Sequence, residues 1–99
     1  MTPHDRHLRS IWQQRINIDL PQAALSHKEW PVRLNHCFAR IILDHVCGGP
    51  WRNFIKAPAY RYMDETQCAA AVNLADAILV GRIDLRRLNS QSLQWRGKA

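Results

Sequence analysis

Apolar residues recur at helical spacing in four stretches of this chain, and strand-like alternation is confined to one short segment between the first two. Residues three or four apart share a face of a helix, so apolar side chains at that spacing predict amphipathic helices. The stretches span about residues 3–16, 27–47, 65–80 and 85–95, with one or two short helical turns besides. The pattern predicts an all-α fold, with four main helices packed in a small orthogonal or bundle-like array.

The amino-terminal stretch carries the signals of a helix start. Thr2 stands at the N-cap position before a proline, and Asp5 follows at capping-box spacing. The alternation comes next, over residues 17–21, where Pro21 lacks a backbone donor and biases the residue before it away from helical geometry. The sequence therefore predicts a helix that ends near its sixteenth residue, then an extended connector, and then a single helical turn over 22–25.

The second stretch, residues 27–47, predicts the central helix. Ser26 and Glu29 form a capping box before it, and Pro31 falls near the first turn, where a missing backbone donor is tolerated. The apolar residues of the stretch wrap well past a narrow stripe, which is typical of a helix packed on more than one side. Gly48 supplies a left-handed residue that ends the helix.

Three ionisable residues break the apolar surface of this central helix. His36, Arg40 and Asp44 are spaced by four and therefore form one line along it. Burying such groups costs free energy unless each has a partner, which leaves two interpretations. In the first, Arg40 and Asp44 form an intrahelical ion pair and His36 hydrogen-bonds nearby. In the second, the line borders a small-ligand or enzyme site for an anionic or hydrogen-bonding compound, with Trp51 at its mouth.

Metal and catalytic chemistry find little support in the spacing of histidine and cysteine. Helical chelation needs ligands three or four residues apart, and only Asp44 and Cys47 of the central helix meet that requirement. Cys37 is adjacent to His36, so the two side chains diverge by about 100° and do not pair as thiol and imidazole. Glycine-rich phosphate loops and serine nucleophile motifs are absent. We expect no metal, no cofactor and no catalytic residue, and three reduced cysteines.

The last two helices are predicted from their amino-terminal caps. Asp64 has Gln67 three residues after it, a capping-box spacing that begins the helix over 65–80. Asp84 is the N-cap residue of the final helix, 85–95. A glycine between the two helices ends the first of them.

Basic residues outnumber acidic ones, with 14 lysines and arginines against 8 aspartates and glutamates and a net charge of +6. The excess is concentrated in two faces, around residues 52–61 and 82–98. Such faces attract nucleic acid or an acidic protein surface through long-range electrostatics. The candidate contact residues are Arg52, Lys56, Arg61, Arg82, Arg86 and Arg87.

An aromatic and basic connector, WRNFIKAPAYRY, follows the central helix over residues 51–62. This mixture is used to stack nucleic-acid bases and to neutralise phosphates. It is also used to anchor a loop on a core while the charges of the loop stay in water. The sequence leaves both interpretations open.

The length of 99 residues allows one helical domain over residues 1–99, with one core. No run approaches the roughly 20 apolar residues that span a bilayer, and the opening segment lacks the apolar region of a signal peptide. We therefore expect a cytoplasmic protein that does not associate with membranes.

Binding of another macromolecule is the function that these features favour. The chain has no catalytic signature, and its four tryptophans and many arginines are residue types enriched at interface hot spots. We expect a protein-interaction regulator or accessory subunit, whose partner is another protein or a second copy in a homodimer. The alternative is a nucleic-acid-binding protein that uses the two basic faces. An exposed apolar patch favours the first, and salt-dependent binding of oligonucleotides favours the second.

Overall fold

The computed structural model describes residues 3–98, with side chains from His7 onward. Most of this part of the chain is helical, and no strand occurs within it, so the predicted all-α fold is confirmed. The cap predicted at Thr2 and the side chain of Asp5 lie outside the described part. The helices are α1 (Pro3–Gln14), α2 (Leu20–Ala24), α3 (Asn35–Cys47), α4 (Ala59–Tyr62), α5 (Glu65–Leu79) and α6 (Leu85–Trp95).

The extended connector predicted over residues 17–21 is wrong, because the chain stays helical from α1 into α2. A π turn, Arg15–Asp19, joins the two helices, and Leu20 keeps right-handed helical angles (φ −69°, ψ −46°). The wider π turn accommodates Pro21, since it displaces the carbonyl that the proline ring meets in a regular helix. Burial drives the arrangement. The residues spaced by four that fill the core from this face are Trp12, Ile16, Leu20 and Ala24.

The central helix is shorter than predicted. α3 begins at Asn35, whereas residues 27–34 form turns and irregular chain instead of the first helical turns. Pro31 lacks a backbone donor and disfavours helical angles at the residue before it. The Ser26 backbone N–H donates within the turn that ends α2. The interpretation of Ser26 and Glu29 as a capping box is therefore wrong.

The irregular segment before α3 is held in place by its own side chains. The Arg33 guanidinium donates to the carbonyls of Ala24 and Lys28, at 2.6 and 3.0 Å. Trp30 meets the buried Phe38 ring edge-on, with ring centroids 5.8 Å apart. Aromatic pairs favour this geometry, so the segment is fixed against the core without helical hydrogen bonds.

α3 ends where the glycine signal predicts. Gly48 has a left-handed backbone, with φ +76°, which costs glycine much less than other residues. The N–H groups of Gly48 and Gly49 both donate to the Asp44 carbonyl, at 2.7 and 3.0 Å. These bonds satisfy a carbonyl that the helix end would otherwise leave unpaired.

The predicted caps of α5 and α6 are confirmed. Asp64 Oδ1 accepts the Gln67 backbone N–H at 2.7 Å, and Gln67 Oε1 accepts the Asp64 N–H at 2.9 Å. Asp84 Oδ1 accepts the Arg86 backbone N–H at 2.9 Å. Each cap satisfies a donor that has no partner within its helix, which fixes the start of the helix.

α3 lies at the centre of the fold, as predicted. It packs against α5, α6 and the π turn, while α1 packs along α5. Its buried apolar residues are at most 2% exposed and include neighbours in sequence, so they point to several sides of the helix: Phe38, Ile41, Ile42 and Leu43. Asp44 continues this run into the interior as a fully buried carboxylate.

Candidate functional site

The Asp44 carboxylate, at the carboxyl end of α3, accepts four hydrogen bonds. Oδ1 accepts the Trp51 backbone N–H at 2.9 Å and Arg96 Nη2 at 2.8 Å. Oδ2 accepts the Ser92 hydroxyl at 2.6 Å and Arg96 Nε at 2.7 Å. The guanidinium therefore binds the carboxylate through two charge-assisted bonds. Asp44, Ser92 and Arg96, together with Arg40, are hereafter the Asp44 cluster.

Arg40 joins the cluster through α6. Its guanidinium donates to the Ser92 hydroxyl and to the Asn89 side-chain oxygen, each at 2.8 Å. The predicted ion pair between Arg40 and Asp44 is therefore wrong. Arg96 occupies the carboxylate, and α6 offers neutral oxygen acceptors to Arg40 instead.

Hydrogen bonds decide the charge of the buried carboxylate. Burial by itself raises the pKa of Asp44, but the bonds from Arg96, Ser92 and the Trp51 N–H outweigh this effect and lower the pKa below its usual value. The same ion pair raises the pKa of Arg96. Asp44 is therefore ionised at neutral pH, with two donors on each oxygen. The Asp44 cluster links α3, α6 and the start of the connector and offers no acceptor to a ligand.

The other two predicted members of this region lie apart from the side chains of the cluster. His36 is exposed in the first turn of α3. Trp51 contributes its backbone N–H to Asp44, and its half-buried ring lies beneath the Arg52 guanidinium, 5.3 Å from the ring centroid. The structure therefore does not gather the line of three ionisable residues around one cleft.

An open cleft of about 430 Å³ lies where α3, α6 and the turn before α6 meet. We name it the α6 cleft. Two of the predicted basic candidates, Arg82 and Arg87, border it together with residues that the charge pattern did not single out. The lining side chains are His45, Arg82, Ile83, Asp84, Arg87, Leu88 and Gln91.

A more open groove of about 330 Å³ continues from this cleft along α6. It shares Arg87 and Gln91 with the cleft and includes the third predicted basic residue of this region, Arg86. Its other lining residues are Ser90 and Gln94. Cations, amides and a hydroxyl thus follow one another along this side of α6.

His45 is held in a defined orientation at the cleft. Its Nε2 lies 2.9 Å from the Leu88 carbonyl oxygen, and a carbonyl only accepts, so Nε2 carries the proton. The ring also packs against Trp95, with centroids 4.9 Å apart. Nδ1 is the second nitrogen of the ring. Sequence reasoning considered His45 only as a possible metal ligand, because its contacts with Leu88 and Trp95 join residues more than 40 positions apart.

Three of the four aromatic side chains of the connector face solvent. Phe54, Tyr60 and Tyr62 are 60%, 48% and 46% exposed, so these rings do not anchor the segment to the core. The Lys56 ammonium lies 5.0 Å from the centroid of the Tyr62 ring. The exposed rings and cations of this segment are hereafter the connector surface: Arg52, Phe54, Lys56, Tyr60, Arg61 and Tyr62.

Smaller side chains, the half-buried Trp51 ring and one arginine anchor the connector. Ile55, Ala59 and Met63 are buried in the core. The Arg9 guanidinium, from α1, donates to the carbonyls of Tyr60 and Met63 on either side of the end of α4. Sequence reasoning missed Arg9, because no local pattern indicates a bond to a backbone carbonyl more than 50 residues away.

Metal and thiol chemistry are not supported by the described residues. Within residues 7–98 no three histidine, cysteine or acidic side chains are placed to hold a metal ion, and no helix is long and apolar enough to cross a bilayer. Burial and the nearby Asp44 charge raise the pKa of the Cys47 thiol, which disfavours the reactive thiolate.

Comparison with protein-family models, curated proteins and solved structures finds no match to this chain.

Proposed function

We propose that this protein acts as a regulator or accessory subunit that binds an acidic partner protein through the connector surface. The outward placement of Phe54, Tyr60 and Tyr62 carries the proposal, because each ring is close to half exposed or more. Exposed groups of large apolar side chains mark interaction sites. Aromatic residues and arginine are also enriched in the buried centres of protein interfaces.

The charge of the connector surface indicates the chemistry of the partner. Residues 51–62 include three exposed cations and no acidic residue. Such a surface attracts an acidic partner and raises the rate of encounter. Two copies that met through this surface would bring like charges together, which disfavours a homodimer formed there. An acidic protein with apolar side chains for the rings is complementary to both features.

The connector surface is held in position before a partner binds. Ile55, Ala59 and Met63 lie in the core, and Arg9 holds two backbone carbonyls of the segment. A surface that is already ordered loses less conformational entropy on association than a mobile loop does. This rigidity supports its use for recognition.

Nucleic acid is the alternative partner for a surface that combines rings with cations. Base stacking requires an open ring face. The Tyr62 ring has Lys56 over one face at 5.0 Å, and the Trp51 ring has Arg52 over one face at 5.3 Å. A protein partner also packs against ring edges and depends less on these faces. These two rings therefore favour a protein over stacked bases, while the rings of Phe54 and Tyr60 suit either partner.

The proposal includes a cytoplasmic site of action. No disulfide joins Cys37, Cys47 and Cys68. Thiols persist in reducing compartments, whereas secreted domains of this size commonly use disulfides. An odd number of cysteines without the regular spacing of a disulfide scaffold supports the cytoplasm over an oxidising compartment.

Selection from a random peptide display library against the immobilised protein tests this function. We expect the selected peptides to be acidic and to carry aliphatic or aromatic side chains. Their affinity for the variant Phe54→Ser/Tyr60→Ser should fall by about tenfold or more, equivalent to about 1.4 kcal/mol. The matched control is Leu25→Ser/Val80→Ser, which removes two other exposed apolar side chains (77% and 69% exposed) and should leave affinity unchanged.

Selected peptides without an acidic excess, or equal losses of affinity in the two variants, would argue against the connector surface as a protein-binding site. A labelled single-stranded oligonucleotide provides the second comparison. If it binds near ~0.1 M salt and Phe54→Ser/Tyr60→Ser releases it, nucleic acid replaces protein as the partner.

A further inference from the structure

We propose that the α6 cleft binds a phosphate monoester of a small organic molecule. The cleft is lined by different residues from the connector surface, so this inference does not rest on the proposed function. Arg82 and Arg87 supply its positive charge, and His45 and Gln91 add polar groups. A guanidinium donates two parallel hydrogen bonds to phosphate oxygens, and the carboxamide and the imidazole contribute single bonds.

The one carboxylate of the cleft is already engaged. Asp84 Oδ1 accepts the Arg86 backbone N–H at 2.9 Å, and Arg86 Nε lies 3.8 Å from the same oxygen. One of its two oxygens therefore faces the start of α6, where Arg86, which does not line the cleft, partly offsets the negative charge. The charges of Arg82 and Arg87 are left for a bound anion.

The His45 ring and the backbone that carries the two arginines are positioned by the fold itself. His45 Nε2 donates to the Leu88 carbonyl, which leaves Nδ1 to accept from a P–OH group of the ligand. The backbone N–H of Arg82 donates to the Ala77 carbonyl at 2.9 Å and fixes the turn before α6. The Asp44 cluster fixes α6 against α3. The imidazole and the backbone held in this way lose little entropy when a ligand binds, and the cost of ordering is confined to the arginine side chains.

The size of the cleft and its apolar lining indicate an organic ester rather than free phosphate. Its volume of about 430 Å³ exceeds the need of a single phosphate ion and falls within the range of about 300–1,000 Å³ typical of small-molecule sites. Ile83 and Leu88 lie in the lining and offer apolar contacts to the organic part. The adjoining groove gives a longer ligand room beyond Arg87.

Titration with phenyl phosphate, followed by NMR of isotope-labelled protein, tests this inference. We expect saturable chemical-shift changes that are confined to residues 82–91 and His45. The substitution Arg87→Gln keeps a hydrogen-bond donor but removes the charged fork, and it should weaken binding by about tenfold. Arg82→Gln is the second variant and should act in the same direction. The matched control, Arg61→Gln, removes an exposed arginine of the connector surface and should weaken binding by less than about twofold, because distant exposed charges are screened.

Three further ligands distinguish an organic phosphate ester from free phosphate, from a carboxylate and from nucleic acid as the compound that the cleft binds. Inorganic phosphate should bind the same residues more weakly, since it makes no contact with the apolar lining. Benzoate should also bind more weakly than phenyl phosphate, because a carboxylate offers the two guanidinium groups fewer oxygens. A single-stranded oligonucleotide should fail to displace phenyl phosphate at about 0.15 M salt.

Several outcomes would overturn the inference. The first is the absence of saturable shifts in the cleft at millimolar phenyl phosphate. The second is an equal loss of affinity in Arg87→Gln and Arg61→Gln, which would indicate general charge attraction. Tight binding of benzoate would indicate an unspecific anion site, and displacement by the oligonucleotide would assign the cleft to nucleic acid.

Discussion

Asp44 is the residue on which the joining of α3 to α6 depends most directly. The substitution Asp44→Asn keeps the shape of the side chain and removes the charge that Arg96 binds through two bonds. Arg96, whose side chain is 25% exposed, would then lose its charged partner, and the buried amide group would turn N–H donors toward other donors. We expect the free energy of unfolding to fall by about 2–3 kcal/mol, measured by urea denaturation.

The matched control for this prediction is Asp19→Asn. Asp19 pairs with Arg15 at 2.9 Å, and the two side chains are 27% and 25% exposed, so its loss should cost less than about 1 kcal/mol. The pH dependence gives a second check. Because the folded pKa of Asp44 is lowered, its contribution is complete above the unfolded pKa of about 3.9 and is lost as pH falls below that value. The difference between wild type and Asp44→Asn should therefore narrow in acid, and a difference independent of pH would contradict this account.

α4 is an element whose position depends on other elements. It has only four residues, too few to form a stable helix alone, and the Arg9 guanidinium holds the carbonyls of Tyr60 and Met63. The substitution Arg9→Met keeps an unbranched apolar stem and removes both bonds. We expect faster amide hydrogen exchange over residues 59–63, and a loss of about 1–3 kcal/mol in unfolding free energy. Hydrogen–deuterium exchange with mass spectrometry measures the first effect.

Arg61→Met is the control for this element. Arg61 belongs to α4 itself and its side chain is exposed, so its replacement should leave amide exchange unchanged. If Arg9→Met also left the exchange over residues 59–63 unchanged, the buried side chains of Ile55 and Ala59 would be sufficient to hold α4.

The ends of helices were predictable where a local side chain or a single backbone conformation makes them. Asp64 and Asp84 accept backbone N–H groups a few residues ahead, and Gly48 adopts its left-handed angle within the turn that it ends. The predictions over residues 17–21 and 27–34 fail at a proline in opposite ways, because Pro21 does not interrupt the helix whereas Pro31 does. In the first, the stripe of apolar residues spaced by four continues through the proline, and its burial outweighs the local preference.

The polar interactions of α3 were harder to predict than its boundaries. The spacing of Arg40 and Asp44 correctly places both side chains on the face of α3 that meets α6. Their partners on α6, Ser92 for Arg40 and Arg96 for Asp44, each lie 52 residues further along the chain. No periodicity within one helix identifies a partner on another. For the same reason, the charge pattern found two arginines of the α6 cleft but not the histidine of α3 that borders it with them.

At the scale of the whole molecule, the end of α3 supports both candidate surfaces. Asp44 binds the backbone where the connector begins, and the next residue, His45, lines the α6 cleft. The radius of gyration of 12.8 Å is close to the value of about 13 Å for a compact domain of this length. One cluster of buried side chains extends from Trp12 of α1 to Leu85 of α6. The same core therefore positions the two surfaces.

This shared core predicts that the chain unfolds in a single transition. Tryptophans report on separate elements, because Trp12 is buried in α1 while Trp30, Trp51 and Trp95 are half-buried before α3, after α3 and in α6. Thermal unfolding followed by tryptophan fluorescence and by far-ultraviolet circular dichroism should give one midpoint. Calorimetry should give an enthalpy of about 60–80 kcal/mol that equals the van't Hoff value. A fluorescence change that precedes the loss of helix would instead indicate that the segments around α3 open independently of the rest.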